Sequence, residues 1–189
     1  MNDVEIEIQV NIEKSEPLLA FLKENAEFKS EARQIDEYFT PAHRDFTAVR
    51  PVAEWLRLRD SSGQYSFVYK NWHHEGEKSF YCDEYETEVG DLTQLKKILE
   101  ALNFRSLVMV DKTRQTWFYK DFEIALDSVK NLGEFVEIEY KGEAQADPKE
   151  TTDQMVKLLK DIGCGEIKIN YMGYPYLLLF PGEAKYEVL

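Results

Sequence analysis

Apolar and polar positions alternate along much of this chain, and that alternation predicts strands. Residues 4–12 read as the first. Ser15 then starts a helix, with Glu16 and Pro17 in its first turn and Leu18, Leu19 and Leu22 on its inner stripe. Residues 33–39 form a second strand ended by Pro41, and 43–51 a charged loop. Residues 55–59 and 65–70 pair across Asp60-Ser61-Ser62-Gly63, a hairpin signal. The polar stretch 71–78 predicts a loop, and 79–89 a longer strand broken at Gly90. Leu92, Leu95, Ile98, Leu99 and Leu102 recur at helical spacing within 91–103. Strands follow at 104–119 and 122–126, around Lys120-Asp121, and at 135–140 after Asn131-Leu132-Gly133. Residues 147–162 predict a third helix, stopped near Gly163 and Gly165. The tail from Ile167 is short and mixed, with a Tyr-rich leucine run over 171–180. The expected fold is α+β: about eight antiparallel strands and three helices, with 1–189 as one domain.

Charge interrupts the alternation in a repeated way. Glu5 and Glu7 flank Ile6, Arg57 and Arg59 flank Leu58, Lys112 and Arg114 flank Thr113, and Glu137 and Glu139 flank Ile138. Residues two apart share a strand face, so each pair puts two like charges on one side. Removing an ion from water costs several kcal/mol even after relaxation. One such strand is explained by a solvated face; four point to a polar interior. Hairpins with charged inward faces predict a closed eight-stranded barrel, because closure removes edges and shields the interior.

The pairs sort by sign. Glu5, Glu7, Glu137 and Glu139 are acidic, with Asp127 near in sequence; Arg57, Arg59, Lys70, Lys112 and Arg114 are basic. Around one cavity they would make an acidic and a basic wall. Carboxylates without histidine or cysteine suit Mg²⁺ or Mn²⁺. Arginine forks and lysine point charges suit phosphate oxygens. A polyphosphate with its metal would neutralise both walls. Glu84, Glu86 and Glu88 lie in a generally acidic stretch, which a solvated strand explains equally well.

Composition narrows the classes. The chain is 43% hydrophobic and 31% charged, ordinary for a soluble protein, and carries a net charge of −13. Such a surface repels nucleic acid and anionic membrane. No apolar run is long enough to cross a bilayer, and Met-Asn-Asp-Val-Glu has no leader character, so a cytoplasmic location is expected. Cys82 and Cys164 read as free thiols, and His73-His74 as part of a surface loop. The Walker spacing and the nucleophile elbow are both absent.

The ordered set resembles the CYTH superfamily, the triphosphate tunnel metalloenzymes. That group includes class IV adenylate cyclases, thiamine triphosphatases and inorganic triphosphatases. Its opening motif Glu-x-Glu-x-Lys is similar to Glu5-Ile6-Glu7-Ile8-Gln9, and its basic pair to Leu56-Arg57-Leu58-Arg59 followed by Tyr69-Lys70. Lys112-Thr113-Arg114 resembles its second basic strand; Leu126-Asp127-Ser128-Val129 and Leu132 to Glu139 resemble its later acidic stretch. The resemblance implies a tunnel of eight strands. Glu5, Glu7, Asp127, Glu137 and Glu139 would be metal-side groups, with Glu86 added. Arg57, Arg59, Lys70, Lys112 and Arg114 would hold a triphosphate, with Lys168 added. Glu5, Glu7, Gln9, Arg57, Arg59, Lys70 and Arg114 would form the catalytic set. The implied ligand is ATP, thiamine triphosphate or tripolyphosphate; a homodimer is compatible with it. Gln9 stands where the motif has lysine, and Asn170-Tyr171 where the family tail has Ser-Tyr. Glutamine carries no charge and moves no proton at neutral pH. Three activities follow as expectations: hydrolysis, which asks least of the site; cyclisation of ATP; and binding without turnover.

Overall fold

The computed structural model describes residues 4–143 and 145–189. Residues 1–3, on which part of the leader reading rests, lie outside the described residues. The elements in order are β1 (Val4–Glu5), β2 (Glu7–Ile12), α1 (Glu16–Asn25), β3 (Glu27–Pro41), a 3-10 turn (Phe46–Ala48), β4 (Glu54–Ser61), β5 (Gln64–Glu75) and β6 (Lys78–Glu88). There follow α2 (Leu92–Ala101), β7 (Phe104–Tyr119), β8 (Phe122–Val129), β9 (Gly133–Tyr140), α3 (Pro148–Ile162), β10 (Ile167–Asn170), α4 (Gly173–Leu179) and β11 (Tyr186–Val188).

The strands form one antiparallel, curled sheet of eleven, in the order β1-β6-β5-β4-β3-β7-β8-β9-β2-β10-β11. Only Ile6 separates β1 from β2. Glu5 pairs with Cys82 of β6, and Glu7 pairs with Glu139 of β9. One short segment thus touches both halves of the curl.

The count differs from the expected eight for local reasons. The first strand changes partners at Ile6 and splits in two, and the tail adds β10 and β11. Residues 71–78 are not a loop: β5 and β6 run through them to a turn at Gly76, whose φ is +67°. Their polar side chains find cross-strand partners. His73 stacks on Tyr81 at 4.5 Å and meets Asp83 at 2.8 Å. The three expected helices are present, and the Tyr-rich run supplies a fourth, α4. Ser15 occupies the N-cap of α1 without a side-chain bond, whereas Asp147 caps α3 by accepting from the backbone N–H of Lys149 and Glu150.

Most of the apolar core lies outside the curl, while Tyr38, Trp55, Val110 and Phe135 share the inward face with the charges and cluster with Tyr174 and Leu177 of α4. Ile8 and Val10 of β2, Ile124 of β8 and Ile138 of β9 pack with Leu18 and Leu22 of α1 and Met155 and Leu159 of α3. A second cluster sets Leu99 of α2 against Phe39, Leu56 and Leu58. Each fully buried leucine contributes about 1.5–3 kcal/mol. Because the outer face carries most of this burial, the inner face can hold charge beside its smaller apolar cluster. Among the described residues no helix is long and apolar enough to cross a membrane.

Candidate active site

Strand register decides which charges meet inside the curl. Gln9 lies opposite Glu137, Asp36 opposite Arg59, Lys70 opposite Glu84, and Arg114 opposite Asp127. Alternation does the rest: Ile8, Leu58 and Ile138 turn outward into the core, and their charged neighbours turn inward.

The ions interleave rather than forming two separate walls. Lys70 donates to Glu5 and lies 3.4 Å from Glu7 and 3.8 Å from Glu84. Arg59 makes a bidentate pair with Asp36 at 2.6 and 2.7 Å. Arg57 stands farther off, 3.8 Å from both Asp36 and Glu84. Arg114 makes a bidentate pair with Asp127 at 2.7 and 2.6 Å and reaches Glu137 at 2.8 Å. Lys112 donates to Asp127 at 2.8 Å. Gln9 accepts from the Asn170 amide at 2.5 Å and donates to Glu137 at 3.4 Å. A cavity opens among these groups, lined by Glu7, Gln9, Arg57, Lys70, Lys112 and Glu137 together with Tyr174 and Pro175 of α4.

Two expected residues lie outside this cluster. Glu86 is exposed, nearer the end of β6; it is Glu84 that reaches Lys70 and Arg57. Lys168 is 47% exposed and pairs with Glu166 at 3.0 Å. Asp127 belongs among the cations, not beside Glu5 and Glu7. Asp36 and Tyr174, which the sequence did not single out, complete the cluster with Glu84, read from the sequence as one of three acids on a solvated strand, and Asn170, noted only as a departure from the family tail. Asp36 carried no paired-charge signal, since its neighbours two residues away are Gln34 and Tyr38 and the adjacent Glu37 is also acidic.

Burial and neighbours set the protonation states. Burial alone would raise Glu5, but the Lys70 ammonium outweighs it and holds that carboxyl down at about 2. Asp36 and Glu137 are likewise held low against burial, by Arg59 and Arg114 respectively. Glu7 is pushed well up by burial and then by the charge of Glu5. Glu139 is pushed up to about 8 for the same two reasons. Burial and the Arg114 charge lower Lys112 to about 8.

The donor chemistry at Glu5, Glu7 and Glu139 fits a hard divalent cation: all oxygen, with negative charge in excess. Among the described residues no three acidic, histidine or cysteine side chains already stand close enough to hold one. Lys70 sits between Glu5 and Glu7 and would shift aside.

A pH dependence follows. Glu7 and Glu139 keep protons in the folded state at pH values where the unfolded chain has lost them. Their contribution to stability is therefore full below the ordinary value of 4.5 and declines as pH rises above it, the share of Glu139 being lost as pH passes about 8. Chelator-treated protein should lose stability in chemical denaturation between pH 5 and pH 8.5, and Mg²⁺ should restore more of it at pH 8.5 than at pH 5. A flat profile, with or without Mg²⁺, would contradict this electrostatic picture.

Residues 1–169 match the CYTH domain. The chain belongs to the CYTH family. A Methanocaldococcus jannaschii protein provisionally named an adenylate cyclase is 28% identical over 176 residues, 90% of this chain and 96% of that one. A solved structure from Pyrococcus horikoshii OT3 superposes with a TM-score of 0.78 at 29% identity, covering 93% of this CYTH chain and 98% of its own. A Hippeastrum protein, provisionally named an adenylyl cyclase and described as revealing a dominant triphosphatase activity, shares the fold at a TM-score of 0.64 and 17% identity. It covers 96% of this chain and 100% of its own.

Proposed function

We propose that this CYTH chain hydrolyses a small-molecule triphosphate held inside the curl, with Mg²⁺ or Mn²⁺. The observation that carries the reading is Arg57. Its side chain is only 15% exposed, its Nε is buried without a hydrogen-bond partner, and its nearest carboxylates stand 3.8 Å away, so it lines the cavity with donors to spare. An anion entering the cavity would satisfy it. The family is one of metal-dependent triphosphate tunnel enzymes, which agrees with this reading. The strand order also supports a tunnel: β1 and β2, taken as one strand, leave β3 to β9 to complete a ring of eight.

Phosphoryl transfer needs positioning and charge neutralisation more than covalent help. Arg57, Lys112 and Arg114 would grip the phosphate oxygens from one side. Glu5, Glu7 and Glu139 would hold the divalent ion, which when bound offsets phosphate charge and polarises the terminal phosphorus. A water oxygen bonds to that phosphorus, the bridging P–O bond breaks, the diphosphate leaves and the water proton passes to solvent. Gln9 orients a phosphate oxygen or the water through its amide without taking a proton.

The test is a panel of ATP, thiamine triphosphate and tripolyphosphate with Mg²⁺ or Mn²⁺, read by product. Orthophosphate release supports the proposal. Cyclic AMP with pyrophosphate would replace it by the cyclase activity that the Methanocaldococcus relative's name carries. Binding without either product would make the chain a receptor for triphosphates, the reading Gln9 motivates.

Gln9→Lys should raise kcat on tripolyphosphate by about tenfold or more, since a charged donor in a dry, preorganised site acts on the transition state. The amide already lies 3.4 Å from Glu137, so an ammonium there has a counter-ion. An unchanged kcat in a correctly folded variant would argue against a charge deficit at this position.

A further inference from the structure

We propose that Tyr174 is a positioning residue for the cationic side of the cavity: its hydroxyl fixes Asp127, and Asp127 fixes Lys112 and Arg114. The consequence for ligand binding rests on the triphosphate reading above; the clamp itself does not.

Asp127 is fully buried. Its Oδ1 accepts from Arg114 Nε at 2.7 Å. Its Oδ2 accepts from Arg114 Nη2 at 2.6 Å, from Lys112 Nζ at 2.8 Å and from the Tyr174 hydroxyl at 2.8 Å. Four donors therefore crowd one carboxylate, three of them on Oδ2 and one on Oδ1. Asp127 is turned to cations on both oxygens and serves as the anchor of two of them.

The tyrosine is independent of the strands it braces. It comes from α4, which docks by apolar packing: the Tyr174 ring meets Phe135 edge-on at 5.0 Å, with Leu177 in the same cluster. The chain leading into α4 is held where the Met172 N–H donates to Asn170 at 3.0 Å. The ring also lies 4.9 Å beneath the Lys112 ammonium, so one side chain touches both the cation and its counter-ion. Arg114 has a second acceptor, Glu137, at 2.8 Å. With the tyrosine hydroxyl gone, Asp127 would lose a fixed donor and Arg114 could turn further toward Glu137, moving its donors off the line to a bound anion.

Tyr174→Phe tests this, with Tyr176→Phe as control. Tyr176 lies on the same helix, and its hydroxyl also donates to a carboxylate, Glu183 at 3.2 Å, but outside the cavity. Calorimetric titration with tripolyphosphate in chelator should show Kd raised about tenfold in Tyr174→Phe, the expected loss for one bond to a charged acceptor, and unchanged in Tyr176→Phe. Solvent exchange of the Arg114 Nε–H, followed by NMR without ligand, should speed up in Tyr174→Phe alone. Asp127→Asn should weaken tripolyphosphate binding yet leave the Mg²⁺ concentration for half-saturation unchanged. Unaltered Arg114 exchange in Tyr174→Phe overturns the clamp, as does an Asp127→Asn variant that shifts only the Mg²⁺ requirement. If wild-type protein binds no tripolyphosphate, the triphosphate reading fails, while the exchange measurement still decides the clamp.

Discussion

Asp36→Ala should lower folding stability by about 3–5 kcal/mol, the usual cost of stripping one partner from a buried ion pair. Asp36 is 1% exposed and is the bidentate partner of Arg59, with Arg57 at 3.8 Å. Without it two largely buried guanidinium groups sit side by side, and among the described residues only Arg57 of the two has another carboxylate within 4 Å, Glu84 at 3.8 Å. Urea unfolding measures the loss. The variant carries a second signature. An anion in the cavity would replace the missing carboxylate, so tripolyphosphate should raise the variant's midpoint more than the wild type's. A loss below about 1 kcal/mol would mean that water reaches the pair freely, as it does at surface ion pairs.

Arg57→Ala should reduce kcat/KM on the preferred triphosphate by about 10²–10³-fold, the scale for one preorganised donor in a water-excluded site. Its effect on stability should be smaller than that of Asp36→Ala, because Asp36 keeps its bidentate bond to Arg59. Lys23→Ala is the matched control: that residue is exposed on α1, away from the cavity. Phosphate release across substrate concentrations reads both variants. Equal loss in the two would show that net charge, not the placed guanidinium, governs the reaction.

Parity along the strands was legible in the sequence, and depth was not. Glu5, Arg57, Lys112 and Glu137 could be assigned to one side because an apolar or neutral neighbour follows each on the other. Nothing local separates Glu84 from Glu86, which share a face of β6. Register across β5 separates them: Glu84 lies opposite Lys70 and Glu86 opposite Val68. Lys168 failed similarly, for it borders Asn11 on β2 and stays in solvent, while Asn170, two residues on, is buried against Gln9. Residues 71–78 read as a loop because single-strand polarity hides cross-strand pairing; the His73–Tyr81 stack depends on a partner eight residues away. Tyr174 was hidden in a run that reads as packing, since its ring does pack and only its hydroxyl is committed to an ion.

The change of partners at Ile6 bears on how the chain is made. Glu5 must find Cys82, Gln9 must find Glu137, and Val10 must find Ile169. During synthesis β1 waits for Cys82 and β2 for partners beyond residue 133, so β2 spends most of translation as an unpaired edge. Such distant pairings are slow to close. The seam of the curl is therefore expected to knit only after β9 has left the ribosome, and until then the anion-gripping side chains have no enclosure in which to act.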